Sequence, residues 1–293
     1  PWAFGIVEKG GLIPGGNRIE LALGAFIGAV TFVLTIFLWI LSDLLVHGLS
    51  KINFSFLLDA PQNSGRAGGI APILISTLLT LFVALLVTIP LGLGTAIYLS
   101  EVTRQNGPMA RAIGMILDIL ASVPSIVLGL FGNAFFCIWL GLGFSILSGG
   151  LTLACMMLPI FIRASELGLS TVPAEWRLGA VALGLNQFSA LRQVLLPAAA
   201  PAMIAGLMLS IGRALAETAA LIFTSGYVDR TPSSLLDSGR SLAVHIYDLS
   251  MNVTGGDASA YGAALVLMAL VFIINIVASR LSSLLLNARK TAT

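Results

Sequence analysis

Val172-Pro-Ala-Glu-Trp-Arg-Leu-Gly-Ala-Val-Ala-Leu-Gly184-Leu-Asn-Gln-Phe-Ser-Ala-Leu-Arg-Gln-Val-Leu-Leu-Pro197 is the longest internal stretch that is neither a membrane span nor a Gly/Ser-rich loop. Pro173 and Glu175 suit a first helical turn, where a missing N–H costs nothing and a carboxylate meets the positive end of the helix dipole. Trp176, Ala180 and Leu183 share a helical face. Gly184 then stops the helix, because glycine takes a positive φ without strain. Asn186 is placed to cap a second short helix, on which Phe188, Leu191 and Leu195 again share a face, and Pro197 is expected to end it. Two short amphipathic helices hinged at a glycine make a poor span. The pattern fits either an interfacial pair lying on a bilayer or a surface that docks another protein.

What lies on either side is apolar. The chain is 57% hydrophobic and 10% charged, with a mean hydropathy of +1.00, whereas a soluble domain carries about 25% charged residues. These values describe an all-α polytopic membrane protein. The net charge of +2 says little about partners. Cys137 and Cys155 both sit in apolar runs, and His47 and His245 are isolated, so no disulfide or metal set is expected. The first apolar run is too long for the core of a cleavable signal, which is about 7–15 residues.

Six spans are expected, at 21–41, 70–99, 112–147, 150–169, 198–224 and 260–286. Each reaches the roughly 20 residues that cross a bilayer as a helix. Pro90 is expected to kink the second. The stretch 112–147 is too short for two spans and a turn, so it reads as one span broken at Pro124, followed by a piece that extends the helix or lies in the interface. Gly24-x-x-x-Gly28 in the first span offers a close approach to another helix. Residues 1–20 and 288–293 read as polar ends, 21–287 as the transmembrane domain, and 42–69 and 225–259 as loops on the face opposite to 172–197.

Six spans leave both termini on one side, and the basic residues choose it. Lys9, Arg18, Arg104, Arg111, Arg163, Arg177, Arg192, Arg280, Arg289 and Lys290 fall on one face, against Lys51, Arg66, Arg230 and Arg240 on the other. The 172–197 loop and both termini are therefore expected in the cytoplasm. Splitting 112–147 into two spans would carry Arg163, Arg177 and Arg192 outside, against this bias.

Charge inside a span is costly, on the order of 3 kcal/mol per group on insertion scales. The fifth span nevertheless holds Arg213-Ala-Leu-Ala-Glu217. Spacing i, i+4 would let the two meet on one face. They read either as an ion pair that fixes helix packing or as the lining of a polar pathway. In the second case Arg213 offers a planar fork suited to an oxyanion, and Ser210 and Thr218 add neutral donors. Asp118, in the third span, is either wetted at the inner end or paired with Arg213 or with a partner's arginine.

Several expected chemistries lack their residues. Leu147-Ser-Gly-Gly150 imitates the start of an ATPase signature but sits at a span entrance. Lys9, Lys51 and Lys290 are the only lysines, and none completes a phosphate-binding loop, so ATP would have to be bound by another polypeptide. There is no His/Cys cluster or nucleophile elbow, and Asn53-Phe-Ser and Asn252-Val-Thr read as chance glycosylation matches.

Two resemblances sharpen this reading. Ala180, Gly184, Val194, Leu196 and Pro197 resemble the EAA loop of ABC importer permeases, with Leu178 where that family has its Glu and Gly179 where it has Ala. Arg213-Ala-Leu-Ala-Glu-Thr-Ala-Ala-Leu-Ile-Phe-Thr224 resembles a segment of phosphate ABC permeases of the PstA type. So do the segments 118–131, 158–166 and 241–250, in the same order, over about residues 70–287. Sulfate and molybdate permeases have a similar Arg-x-x-x-Glu but typically continue with Phe-Gly, where this chain has Thr218-Ala219.

The resemblance implies the type I ABC importer permease fold in a bacterial inner membrane. It implies a pathway role for Arg213, Glu217, Thr218, Ser210 and Asp118. It implies contact with an ATPase through Glu175, Trp176, Arg177, Ala180, Gly184, Asn186, Phe188, Leu191 and Pro197. The expected partners are a second permease of the PstC type, two ATPase subunits carrying ATP and Mg, an extracytoplasmic phosphate-binding protein, and phosphate itself. No cofactor is expected in this chain, and no nucleic acid. Sulfate, molybdate or another ABC substrate is the alternative cargo. A proton-coupled secondary transporter relaying through Asp118 and Glu217 is the rival mechanism, but the inverted repeats it calls for are not evident.

Overall fold

The computed structural model describes residues 15–103 and 107–290, with side chains over 20–103 and 107–280. Lys9, Arg104, the ends 1–14 and 291–293, and the side chains of Arg18, Arg289 and Lys290 lie outside the described residues. Residues up to His47 form one unit and those from Gly48 onward a second.

The first unit is dominated by α1 (Gly15–Leu49), longer than the expected 21–41. Its apolar side chains from Leu21 to Ile40 are exposed, Trp39 at 71%. Beside Gly24 and Gly28 there is open space.

In the second unit, the loop after α1 is not featureless. It holds α2 (Phe54–Leu58), capped by Asn53, whose Oδ1 accepts the Phe56 N–H at 2.7 Å. A two-rung hairpin of β1 (Pro61–Gln62) and β2 (Ala67–Gly68) follows. The long helices are α3 (Ala71–Ile97), α6 (Ile146–Ser170), α9 (Leu196–Leu215) and α12 (Asp257–Lys290). Pro90 lies inside α3 without ending it. Between α3 and α6 come α4 (Pro108–Ser122) and α5 (Ser125–Gly132), the latter prolonged by a π-helical segment Asn133–Trp139. The two meet at 103°. Pro124 makes the break, because Val123 before it is pushed to extended backbone (φ −64°, ψ 127°). Counting the bent pair as one crossing gives the six spans of a polytopic all-α membrane protein.

Glycine contacts fix the helix directions. A Cβ on Gly150 would lie 2.5 Å from Val83 Cγ1, and one on Gly92 would lie 2.5 Å from Phe161. Sequence therefore advances in the same direction along α3 and α6, and the two helices are parallel. Parallel neighbours require the chain between them to return across the layer an odd number of times. The bent α4–α5 pair makes that single return, as the basic-residue count anticipated. Gly149 and Gly150 of the signature look-alike thus serve close packing against Ser225 and Val83. Gly206 beside Ala164 and Gly168 beside Ala202 make α9 antiparallel to α6. The core between these helices is built from Leu81, Ala84, Leu153, Met157, Ile211 and Leu215.

One helix is shorter than its apolar run. The expected span 198–224 stops at Leu215, and Ala219–Ile222 forms a separate turn, α10. The loop 225–259 carries α11 (Leu242–Met251), whose Leu242, Val244, His245 and Leu249 are fully buried.

Candidate functional site

The 172–197 segment is an elbow. Its first arm is α7 (Ala174–Ala182), with Pro173 at the N-cap, and its second begins with α8 (Gln187–Ala190). Gly184 takes φ +72°. The Gly184 N–H donates to Val181 O at 2.9 Å and the Leu185 N–H to Ala180 O at 3.0 Å, the paired bonds of a Schellman stop. Asn186 caps α8, its Oδ1 accepting the Ser189 N–H at 2.8 Å. Pro197 does not end this arm. The chain runs on through a π-helical turn (Leu191–Leu195) into α9, and Pro197 occupies α9's first turn, where no N–H is needed.

Apolar side chains on the elbow divide by position. Ala180 and Leu195 are buried, and Leu195 packs with Leu169, Val172 and Ala199. Leu178, Val181, Leu183 and Phe188 are 69–82% exposed. The shared face of Trp176, Ala180 and Leu183 is thus split, because Leu183 closes the helix and turns outward with the hinge. Glu175 and Asn186 are exposed, and Leu191 is half-buried. A patch of large apolar side chains this dense is a docking surface or a lipid contact.

Arg177 behaves differently from its neighbours. Its Nη2 donates to Glu101 Oε1 at 2.7 Å and to Leu169 O at 2.9 Å, and its Nη1 to Val172 O at 2.7 Å. The hydrogen bond to Glu101 raises the guanidinium pKa above its ordinary value. Arg177 is therefore turned toward the bundle.

At the same end, a cleft of about 940 Å³ is lined by Arg111, Gly114, Asp118, Ser122, Arg163 and Glu166. It shares Leu99, Arg163 and Glu166 with a second recess of about 570 Å³ that reaches Arg177. Asp118 finds its partner here: Arg163 Nη2 lies 2.8 Å from its Oδ1, while Nη1 reaches Glu166 Oε2 at 3.2 Å. Of the readings expected for Asp118, wetting fits its 72% exposure, and its ion-pair partner is Arg163, from α6 of the same chain, in place of Arg213 or a partner's arginine.

Arg213 and Glu217 are not paired. The helix carrying Arg213 ends two residues on, so the i, i+4 geometry is never built. Glu217 Oε1 instead accepts the Ala220 N–H at 3.2 Å at the start of α10. Arg213 is exposed and forms no ion pair among the described residues. Ser210 is buried and donates to Leu207 O at 2.8 Å, and Thr218 is half-buried at the break.

A polar knot at the opposite end had no signal in local spacing. Arg240 Nη1 lies 3.0 Å from Asp248 Oδ2, with side chains only 11% and 15% exposed, and Nε donates to Tyr227 O at 2.9 Å. The same Nη1 lies 3.4 Å from His245 Nδ1. A guanidinium only donates, so Nδ1 accepts and the ring proton sits on Nε2, which has no partner among the described residues. Burial, and then the Arg240 charge, push the His245 pKa down to about 4.

Residues 88–287 match the family described as "Binding-protein-dependent transport system inner membrane component". The chain belongs to this family. It is 30% identical over 281 residues to "Probable ABC transporter permease protein YqgI" of Bacillus subtilis (strain 168), covering 91% of this chain and 95% of that relative. It is 34% identical over 247 residues to "Phosphate transport system permease protein PstA" of Mycobacterium leprae (strain TN), covering 81% and 80%. Among solved structures it is similar to a chain of a bacterial ABC transporter importing the acidic polysaccharide alginate. That match has a TM-score of 0.63 at 14% identity over 90% of this chain and 96% of the other. A MetNI methionine ABC transporter chain gives 0.57 at 18% identity, covering 74% and 94%. These likenesses establish the type I importer permease fold. As a binding-protein-dependent permease, the chain is a membrane transport subunit and not an enzyme.

Proposed function

We propose that this permease is a subunit of an ATP-driven importer of inorganic phosphate. In this reading it forms an anion pathway with a second permease of the PstC type. Two ATPase subunits, holding ATP and Mg, grip the elbow from the cytoplasm, and an extracytoplasmic binding protein delivers phosphate. Both termini lie inside. The observation that carries the reading is the elbow, a glycine-hinged pair of short helices with Leu178, Val181, Leu183 and Phe188 exposed. The PstA relatives favour phosphate as cargo.

Within the pathway, Arg213 is an exposed guanidinium at the end of a broken helix, placed to meet an anion, with Ser210 and Thr218 close in sequence. Glu217, whose Oε1 accepts the Ala220 N–H at the start of α10, limits in this reading how tightly the anion is held. The exposed Asp118 and Arg163 line the inner mouth. The test is phosphate uptake by the assembled complex in vesicles. Arg213→Gln is expected to abolish uptake while the complex still co-purifies, and uptake by the unaltered complex is expected to survive collapse of the proton gradient when ATP remains. Unchanged uptake by the variant removes Arg213 from the pathway. Dependence on the proton gradient removes the ATP-driven mechanism.

A further inference from the structure

The geometry points to the Arg177–Glu101 pair as the strut through which the elbow moves the spans, a positioning link rather than part of the docking face. This rests on the ATP-driven reading above and adds a route for the force.

Arg177 sits in α7 between Trp176 and Leu178, which are 45% and 70% exposed. Its side chain nonetheless points inward and is 31% exposed, and Glu101 is 20% exposed. The guanidinium meets Glu101 with two nitrogens, Nη2 to Oε1 at 2.7 Å and Nε to Oε2 at 3.3 Å. Such a two-pronged contact resists both rotation and translation. Two further N–H groups donate to Leu169 O, in the last turn of α6, and to Val172 O, two residues beyond its end. One side chain thus ties together α7, the end of α3 and the end of α6.

Glu101 is held for this contact. It lies in a π-helical turn, Tyr98–Val102, that continues α3, and the Thr103 N–H closes that turn on Tyr98 O at 2.8 Å. The extra residue of a π turn re-aims side chains relative to a continued α-helix, and such turns recur at functional positions.

The two arms of the elbow are fastened by different chemistry. Leu191, Val194 and Leu195 of the second arm join an apolar cluster with Leu169, Val172 and Ala199. That arm runs directly into α9. The first arm has Ala180 as its buried apolar residue and relies on the Arg177 fan. Because α3 and α6 interlock at Gly92 and Gly150, a pull on Glu101 and on the Leu169 carbonyl moves both helices together. An apolar contact slides, whereas a forked ion pair transmits a directional load.

The test uses the whole complex in vesicles, with ATP hydrolysis and phosphate uptake measured on the same preparation. Glu101→Gln leaves every exposed elbow side chain intact. It is expected to retain co-purification of the ATPase and most of the hydrolysis, while uptake falls about tenfold, the size of an ordinary coupling free energy. Glu101→Arg should uncouple more severely, and adding Arg177→Glu should restore part of the uptake per ATP. A proportional fall in hydrolysis and uptake, loss of the ATPase from the complex, or unchanged uptake would each overturn the strut. Failure of the unaltered complex to use ATP overturns the proposed function itself, and is read before any variant.

Discussion

Arg163 of α6 reaches across to Asp118 of α4, Nη2 to Oδ1 at 2.8 Å, forty-five residues away in sequence. It closes the α4 half of the broken span onto its neighbour. Arg163 and Asp118 side chains are 43% and 72% exposed. Exposed pairs of this kind contribute about 0–1 kcal/mol. Asp118→Ala is therefore expected to lower stability by less than about 1 kcal/mol, read as a small shift in thermal unfolding of the detergent-solubilised complex. A loss well above that would show that the pair is shielded in the assembly.

The parallel packing of α3 and α6 predicts opposite outcomes for two glycines. A Cβ at Gly150 would lie 2.5 Å from Val83 Cγ1 and 3.0 Å from Thr80 O. Gly150→Ala should destabilise by about 1–3 kcal/mol through overpacking. At Gly212, in α9, a Cβ meets nothing within 4 Å. Gly212→Ala should be neutral or stabilising, by up to about 1 kcal/mol, from helix propensity. Thermal unfolding of the two variants side by side checks both.

Gly184 isolates the cost of backbone conformation, since φ is +72° and the Cβ position is open. Gly184→Asn should be tolerated, because asparagine visits this region. Gly184→Val should cost on the order of 1–3 kcal/mol and weaken recovery of the ATPase with the complex. Equal recovery of the ATPase with both variants would contradict a hinge held at positive φ.

His245 supplies a pH dependence. Its pKa is lowered from 6.5 to about 4 by burial and by Arg240, with Asp248 acting the other way. Gly65, at φ +87°, closes over the ring, where a Cβ would lie 2.9 Å from Cε1. The unfolded chain binds a proton near pH 6.5 and the folded one only near 4, so the stability is fully present above 6.5 and is lost as pH falls from 6.5 to 4. The two limits differ by roughly 3 kcal/mol. The melting temperature of the complex should drop across that window, and His245→Gln should flatten this part of the profile.

Features governed by local chemistry were readable in the chain. Pro124 broke its span because proline restricts the residue before it, Gly184 stopped its helix, and Asn186 capped the next. The count of crossings followed from apolar length and basic residues. What stayed hidden was tertiary. Ala214-Leu-Ala-Glu-Thr-Ala contains neither glycine nor proline, so nothing local announces the end of α9 at Leu215. The Arg213–Glu217 pairing failed with that helix. Asp118 with Arg163, and Arg177 with Glu101, join residues 45 and 76 positions apart, beyond any periodic pattern. Pro197 was readable as a helix boundary, but the same residue that ends one helix can open another, and only the continuous backbone through Leu191–Leu195 decides between them.

The sharp bend between α4 and α5 also leaves each half dependent on distant parts of the chain. With 15 residues, α4 falls short of the about 20 that cross a bilayer, and it carries Arg111 and Asp118. Alone it is too short to cross, and α5 with its continuation to Trp139 completes the span. Even then α5 is incomplete, since Asn133 Nδ2 donates to Phe223 O at 2.8 Å and Gly129 packs on Ala220. Phe223 comes 90 residues after Asn133 in the chain. A chain shortened before Phe223 would lack both the acceptor for the Asn133 amide and the backbone on which Gly129 packs, so the α4–α5 crossing and the α10 turn stand or fall as one unit.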